Sequence, residues 1–194
     1  MSLSSFRGKR NCPLCDYDVP ARVLMEEHVD QQAIDKYTFS SRKEPDFMHY
    51  KMVVCSNCDL AYADLMPDID WLKKNYVNAL FNTGDESKQA ATNHSRLLDQ
   101  VLPNLPDYDG ALDIGTGDGA FLTELLQRGF TNVIGVEPSL EPTRTASVEV
   151  NDLIMHGFFD GRNYESSRYS IVTCFQVLEH IDAITSLARA VYRI

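Results

Sequence analysis

The stretch Ala111-Leu112-Asp113-Ile114-Gly115-Thr116-Gly117-Asp118-Gly119-Ala120 narrows the folds open to this chain more than any other. Residues 111–114 form a run of the length of a buried strand, apolar but for Asp113, and glycines at alternate positions follow at once. Glycine tolerates φ > 0 and has no side chain, so the backbone turns tightly and a ligand can come close. Phe121, Leu122, Leu125 and Leu126 then fall at helical spacing, and Gly129 ends the helix after Arg128. A strand, a glycine turn and a helix in this order place unpaired N–H groups and a positive dipole end beside the carboxyl end of a strand. Open α/β sheets bind their ligands at that place. The expected fold is therefore a doubly wound, Rossmann-like α/β sheet with its site at residues 115–119.

The spacing here is G-x-G-x-G, whereas the dinucleotide fingerprint is G-x-G-x-x-G, so nicotinamide chemistry is disfavoured. Asp113 lies two residues before the first glycine, and the next strand, residues 132–136, runs into Glu137. An acid at that strand end can accept hydrogen bonds from both hydroxyls of a ribose. Residues 170–175 read as a fourth strand, and Gln176-Val177-Leu178-Glu179-His180 follows it. The two acids, the glycine spacing and this loop resemble the class I S-adenosylmethionine (SAM)-dependent methyltransferases over residues 85–194. The resemblance implies a cofactor site built from Asp113, Gly115, Thr116, Gly117 and Gly119, from Glu137 and Pro138, and from Phe158, Phe159 and Phe175. It assigns the amino-acid end of SAM to Asp113 and the turn, the ribose to Glu137, and the adenine to the aromatic residues after the third strand, residues 152–155. Many members carry an acid directly after the glycine there. This chain has Phe158 instead, with Asp160 two positions later, so Phe158 and Phe159 also fit a core role.

Ahead of this domain lie Cys12-Pro13-Leu14-Cys15 and Cys55-Ser56-Asn57-Cys58. Each C-x-x-C places two thiolates on one tight turn, and two such knuckles complete the tetrahedral four-sulfur shell that structural zinc takes. The gap between the pairs is longer than in an ordinary ribbon, so an insertion sits between them. A strand over residues 47–54 leads into the second knuckle, and one over residues 60–65 leaves it. A redox or disulfide use of the pairs is the alternative, and His28 and His49 are alternative ligands. The expected organisation is a zinc-binding, ribbon-like module over residues 1–66, a helical cap over residues 67–106 and a SAM-binding domain over residues 107–194. The cap holds a helix with Trp71, Leu72, Tyr76 and Leu80 on one face and a second from residue 86 to 102, with Ala90, Leu97, Leu98, Val101 and Leu102 apolar. A further helix is expected over residues 141–150.

Zinc knuckles before a SAM domain resemble the deoxysugar C-methyltransferases and their relatives. The resemblance implies an enzyme that methylates a small molecule, such as a sugar or nucleotide-sugar carbon. His180, at the start of a helix carrying Ile184, Leu187, Ala188 and Val191, and Tyr76 are the candidate catalytic residues. The alternatives are a non-catalytic zinc and SAM-fold binding module, or an RNA base methyltransferase. A net charge of −10 fits nucleic-acid binding poorly. No apolar run has the length of a membrane span. The cysteines, without a secretory leader core in residues 1–6, suggest a reducing, cytoplasmic setting. The family continues past a fourth strand, so the chain is expected to be a C-terminally truncated piece of a longer methyltransferase, with an exposed sheet edge prone to self-association.

Overall fold

Alternating apolar runs and helical repeats build a parallel sheet covered by helices. The computed structural model describes residues 6–18, 21–30, 32, 47–81 and 84–194. Its elements are β1 (Phe6–Lys9), β2 (Arg22–Met25), β3 (Met52–Val54), β4 (Ala61–Ala63), β5 (Leu65–Pro67), α1 (Ile69–Val77), α2 (Gly84–Val101), β6 (Asp109–Ile114), α3 (Ala120–Gln127), β7 (Thr131–Glu137), α4 (Leu140–Arg144), α5 (Val148–Asn151), β8 (Ile154–His156), β9 (Ile171–Thr173) and α6 (Ile184–Arg193). A four-stranded sheet has the order β8-β7-β6-β9, and all its pairings are parallel. The chain reverses its direction of winding between β6 and β9. The carboxyl ends of that pair form the crevice where doubly wound sheets take ligands.

β6 is an inner strand, paired with β7 on one edge and β9 on the other, and both its faces are covered. Ala111 and Leu112 are fully buried, and Ile114 nearly so. On one side Ala111 packs with Phe121, Leu122, Leu125 and Phe130 around α3, joined by Ala91 and Leu98 of α2. On the other, Leu112 and Ile114 pack with Val136 and Ile194, with Leu187 and Val191 of α6 against them. The buried line of α2 is Ala91, Ser95 and Leu98. Leu97 and Val101, expected on the apolar face, point to solvent instead. Arg128, just past α3, fastens the two helices through Asp99 of α2 and Glu124 of α3.

Several sequence boundaries shift. The strand expected over residues 47–54 shortens to β3, with only an isolated bridge between His28 and His49 before it. The strand expected over residues 60–65 divides into β4 and β5, which join different sheets. The helix expected over residues 141–150 is two short ones, α4 and α5, because Thr145 closes the first and Ser147 opens the second. Glu179 and His180 lie in a separate 3-10 turn, Leu178–His180, ahead of α6 rather than in its first turn. The insertion between the knuckles lies partly outside the described residues, as do residues 1–5.

Antiparallel β2, β3 and β4 form a small sheet, and β1 pairs with β5. β9 is an edge strand of the main sheet. At the amino end of that edge, Tyr169 and Ile171 line a groove with Asp107 and Tyr192. Among the described residues no helix is long and apolar enough to cross a membrane.

Candidate active site and metal centre

The turn after β6 runs through three glycines with φ of +76° at Gly115, +60° at Gly117 and +76° at Gly119. Each fills a different need. A Cβ on Gly115 would stand 2.3 Å from Val177 Cγ2, and one on Gly119 would meet Val150 at 2.8 Å. At Gly117 a Cβ would meet nothing within 4 Å. The first and third glycines thus permit close packing, while the middle one faces open space. Gly135 of β7 also lets the turn approach, since a Cβ there would strike Thr116 at 2.5 Å.

Two carboxylates flank the turn. Asp113, fully enclosed at the end of β6, accepts a hydrogen bond from Thr173 Oγ1 at 2.7 Å. Burial pushes its pKa up to about 6 against the stabilising bond from Thr173. Glu137, at the end of β7, accepts from the Gly117 N–H at 3.0 Å through Oε2 and from the Ser139 N–H at 2.7 Å through Oε1. Its pKa is also raised, by burial first, with the N–H groups of Ser139 and Gly117 acting in the opposite sense. Asp118 caps α3 through the Ala120 N–H and accepts the Ser87 hydroxyl of α2 at 2.6 Å, which ties the helical cover to the turn.

α1 begins at Asp68, whose carboxylate accepts from the N–H groups of Asp70 and Trp71. This start sets the helix phase that turns Tyr76 toward the loop after β9. Tyr76 Oη lies 2.6 Å from His180 Nδ1. The Tyr76 carbonyl accepts the Ser139 hydroxyl at 2.7 Å, so the helix is also bonded to the residue that bonds Glu137. Burial pushes the Tyr76 phenol up to about 12, so it stays protonated. His180 is open to solvent on one side and backed by protein on the other. Desolvation on the backed side lowers its pKa, opposed by the charge of Glu179.

The aromatic candidates divide. Phe158 is exposed at 45% with Lys73 Nζ 5.5 Å from its ring centre. Phe159 stacks on Tyr164, and Asp160 pairs with Arg162. Phe175 lies against the His94 ring at 4.2 Å and edge-on to Phe121 at 5.0 Å. Pro138 links Glu137 to Ser139, the N–H of which the carboxylate binds.

The two cysteine pairs meet although an insertion parts them in sequence. Cys12 Sγ lies 3.6 Å from Cys58 Sγ, and Cys15 Sγ 3.6 Å from Cys55 Sγ. All four sulfurs fall within 4.8 Å of one another. Bonds of about 2.3 Å at tetrahedral angles set sulfurs about 3.8 Å apart, so the set fits one zinc ion. Cys12 and Cys55 are buried beside Val53 and Tyr62, and all five cysteines are free of disulfides. His28 and His49 face each other at 6.2 Å between ring centres and are not in the sulfur group.

Nothing in the sequence marks Ser139 or Ser87 for the site, and Val177 stands out there only as part of the loop over residues 176–180. Thr173 leaves a signal there: a polar residue inside an apolar strand, in register with Asp113.

A family model described as "Methyltransferase domain" matches residues 86–194, more than half of the chain. The chain belongs to this methyltransferase-domain family. Within the methyltransferase domain fall the glycine turn, both carboxylates and His180, while Tyr76 and the cysteines lie ahead of it. No curated protein matches the chain. Among solved structures, a candidate SAM-dependent methyltransferase from Methanococcus maripaludis is 18% identical, with a TM-score of 0.42 over 55% of this chain and 58% of that one. A candidate type II methyltransferase from Anaeromyxobacter dehalogenans is 21% identical, with a TM-score of 0.39 over 52% of this chain and 42% of that one. The magnesium protoporphyrin IX methyltransferase from Synechocystis PCC 6803, solved with bound SAH, is 19% identical, with a TM-score of 0.37 over 62% and 61% of the two chains. The chain thus spans 58% of the length of the first of these structures.

Proposed function

We propose that this chain binds SAM at the Gly115–Gly119 turn and is the catalytic core of a methyltransferase acting on a small molecule, with a sugar or nucleotide-sugar carbon as the acceptor class. The observation that carries the reading is the joined Tyr76–His180 pair on a loop whose Val177 rests on the same glycine turn. Bound there, SAM supplies an electrophilic methyl group on a sulfonium, so the protein's task is alignment and exclusion of water.

The residues suit that ligand. The open space at Gly117 accommodates a group close to the backbone. Asp113, with a pKa near 6, is mostly ionised at neutral pH and offers a buried anion to an ammonium group. Glu137 holds its carboxylate rigidly through two backbone N–H groups and retains lone pairs for ribose hydroxyls. Phe158 offers an accessible ring face for a purine.

Methylation at carbon beside a carbonyl needs a base. His180 serves in the tautomer whose Nδ1–H donates to Tyr76 Oη, which leaves the Nε2 lone pair to take the acceptor's proton. Its lowered pKa keeps the ring neutral, and thus able to accept, at neutral pH. Cys12, Cys15, Cys55 and Cys58 hold a structural zinc with no open position for chemistry. The unpaired cysteines suit a reducing, cytoplasmic compartment.

The test has two arms. Titration calorimetry with SAM examines the cofactor site, and methyl transfer to nucleotide-linked keto sugars examines the acceptor class. Binding without transfer to any acceptor would leave a non-catalytic SAM-binding module as the reading. No binding would remove both.

A further inference from the structure

The loop between β9 and α6 carries His180, and it is pinned at both ends. At its start, Val177 fills the space beside Gly115. At its end the contact comes from the other extreme of the chain. Arg10 Nη2 donates to the Asp182 carbonyl at 3.0 Å, and Thr185 Oγ1 donates to the Leu14 carbonyl at 2.9 Å. Leu14 lies within the first knuckle, between Cys12 and Cys15. Arg10 stands two residues before Cys12, and its own N–H is bonded to the Asp64 carbonyl beyond the second knuckle.

We infer that the first cysteine knuckle is a strut for the His180 loop, with Arg10 and Thr185 as positioning residues for the Tyr76–His180 pair. This rests on the reading of His180 as part of the site, and it assigns the N-terminal module a second task beyond its own folding. A metal held by the four sulfurs fixes the knuckle's backbone, and the Leu14 carbonyl is part of that backbone. Two hydrogen bonds then transfer this rigidity to residues 182 and 185, on either side of the turn from the 3-10 segment into α6. Without them the loop keeps the single side-chain bond from His180 to Tyr76 and two short-range backbone bonds, from the His180 N–H to the Val177 carbonyl and from the Ile181 N–H to the Leu178 carbonyl. Loops held by few exposed bonds open locally at low free energy.

The experiment compares the native chain with an Arg10→Met, Thr185→Val double variant, which removes both donors and keeps the bulk of each side chain. Metal content is measured first, followed by hydrogen exchange at the His180 and Ile181 amides and NMR titration of the His180 ring. The expected result is an unchanged metal content, exchange at those two amides faster by about tenfold or more, unchanged exchange at Leu122 in α3, and a His180 titration that moves up toward its ordinary value. Thr185→Ser, which keeps the donor, should behave as the native chain does. Should the double variant fold poorly, chelating the metal from the native chain provides the second arm, with the same acceleration expected at residues 180 and 181. Loop exchange and His180 titration that stay native, in a metal-loaded double variant or in a chelated native chain, would overturn the strut. Neither measurement depends on methyl transfer, so this failure is separate from failure of the catalytic reading.

Discussion

Replacing Asp113 by Asn should make the protein more stable and deprive it of its cofactor. Asp113 is buried at the sheet's central strand end, with its carboxyl raised from 3.8 to about 6. At about 1.4 kcal/mol per unit, keeping that side chain ionised inside the fold costs about 3 kcal/mol at neutral pH. The sign follows from which state ionises first. Below pH 4 Asp113 is protonated in both folded and unfolded chains, and there is no penalty. Between about pH 4 and 6 the unfolded chain ionises while the folded one does not, and stability falls as pH rises. Above that range the full penalty applies. Asn has no charge to bury and keeps an acceptor for Thr173 Oγ1. Urea unfolding of both proteins from pH 4 to pH 8 should therefore show a stability difference close to zero at the acid end, growing to about 3 kcal/mol in favour of Asn at pH 7. The native protein should also bind SAM more weakly as pH falls below about 6, because a proton then occupies the site of the ammonium group. A stability difference that stays flat across this range, or an Asn variant that binds SAM as the native chain does, would refute the assignment.

Gly117→Val should abolish SAM binding in calorimetry and cost roughly 1–2 kcal/mol of stability, because a branched side chain is strained at φ +60° even where its Cβ meets nothing within 4 Å; retained affinity would move the site elsewhere. Gly115→Ala should destabilise by roughly 1–3 kcal/mol through its positive φ and the collision with Val177, read as a lowered urea midpoint. Replacing Cys55 by Ser should release the metal and loosen the N-terminal module before the sheet, as followed by elemental analysis and hydrogen exchange; a fully loaded variant would exclude the four-sulfur site. Among the described residues β9 is an edge strand, so the chain of residues 1–194 should self-associate along it, and light scattering from a monomer at all concentrations would show that the edge is protected.

The glycine turn was legible because local rules alone produce it. The apolar run of β6 is short and strong, and the left-handed backbone at residues 115, 117 and 119 admits glycine with little competition. Both cysteine pairs were legible for a similar reason, since their spacing matches one metal's geometry. The helix expected over residues 141–150 divides because the chain leaves the helical path at Thr145 and re-enters it at Ser147, at points where periodicity alone continues. The buried line of α2 was misplaced because Ser95, a polar residue, occupies its middle, hydrogen-bonded to the Thr92 carbonyl. The contact between Tyr76 and His180 crosses over a hundred residues, and no local pattern encodes it. The same is true of Val177 over Gly115, where the absence of one side chain is explained by the presence of another in a distant loop.

The bonds of Arg10 and Leu14 to Asp182 and Thr185 also bear on how this protein is made. The two groups are separated by 172 and 171 positions. At ribosomal speed that distance represents roughly 9–34 s of elongation. Throughout this interval the first knuckle can gather its metal once the second has emerged, but the surface that receives it does not yet exist. If the four sulfurs take a metal, assembly would be staged, with the cysteine module maturing early, the sheet forming around β6 later, and the docking of the two waiting for α6. A metal shortage during synthesis would then imprint itself on α6 and the loop before it, far from the sulfurs themselves.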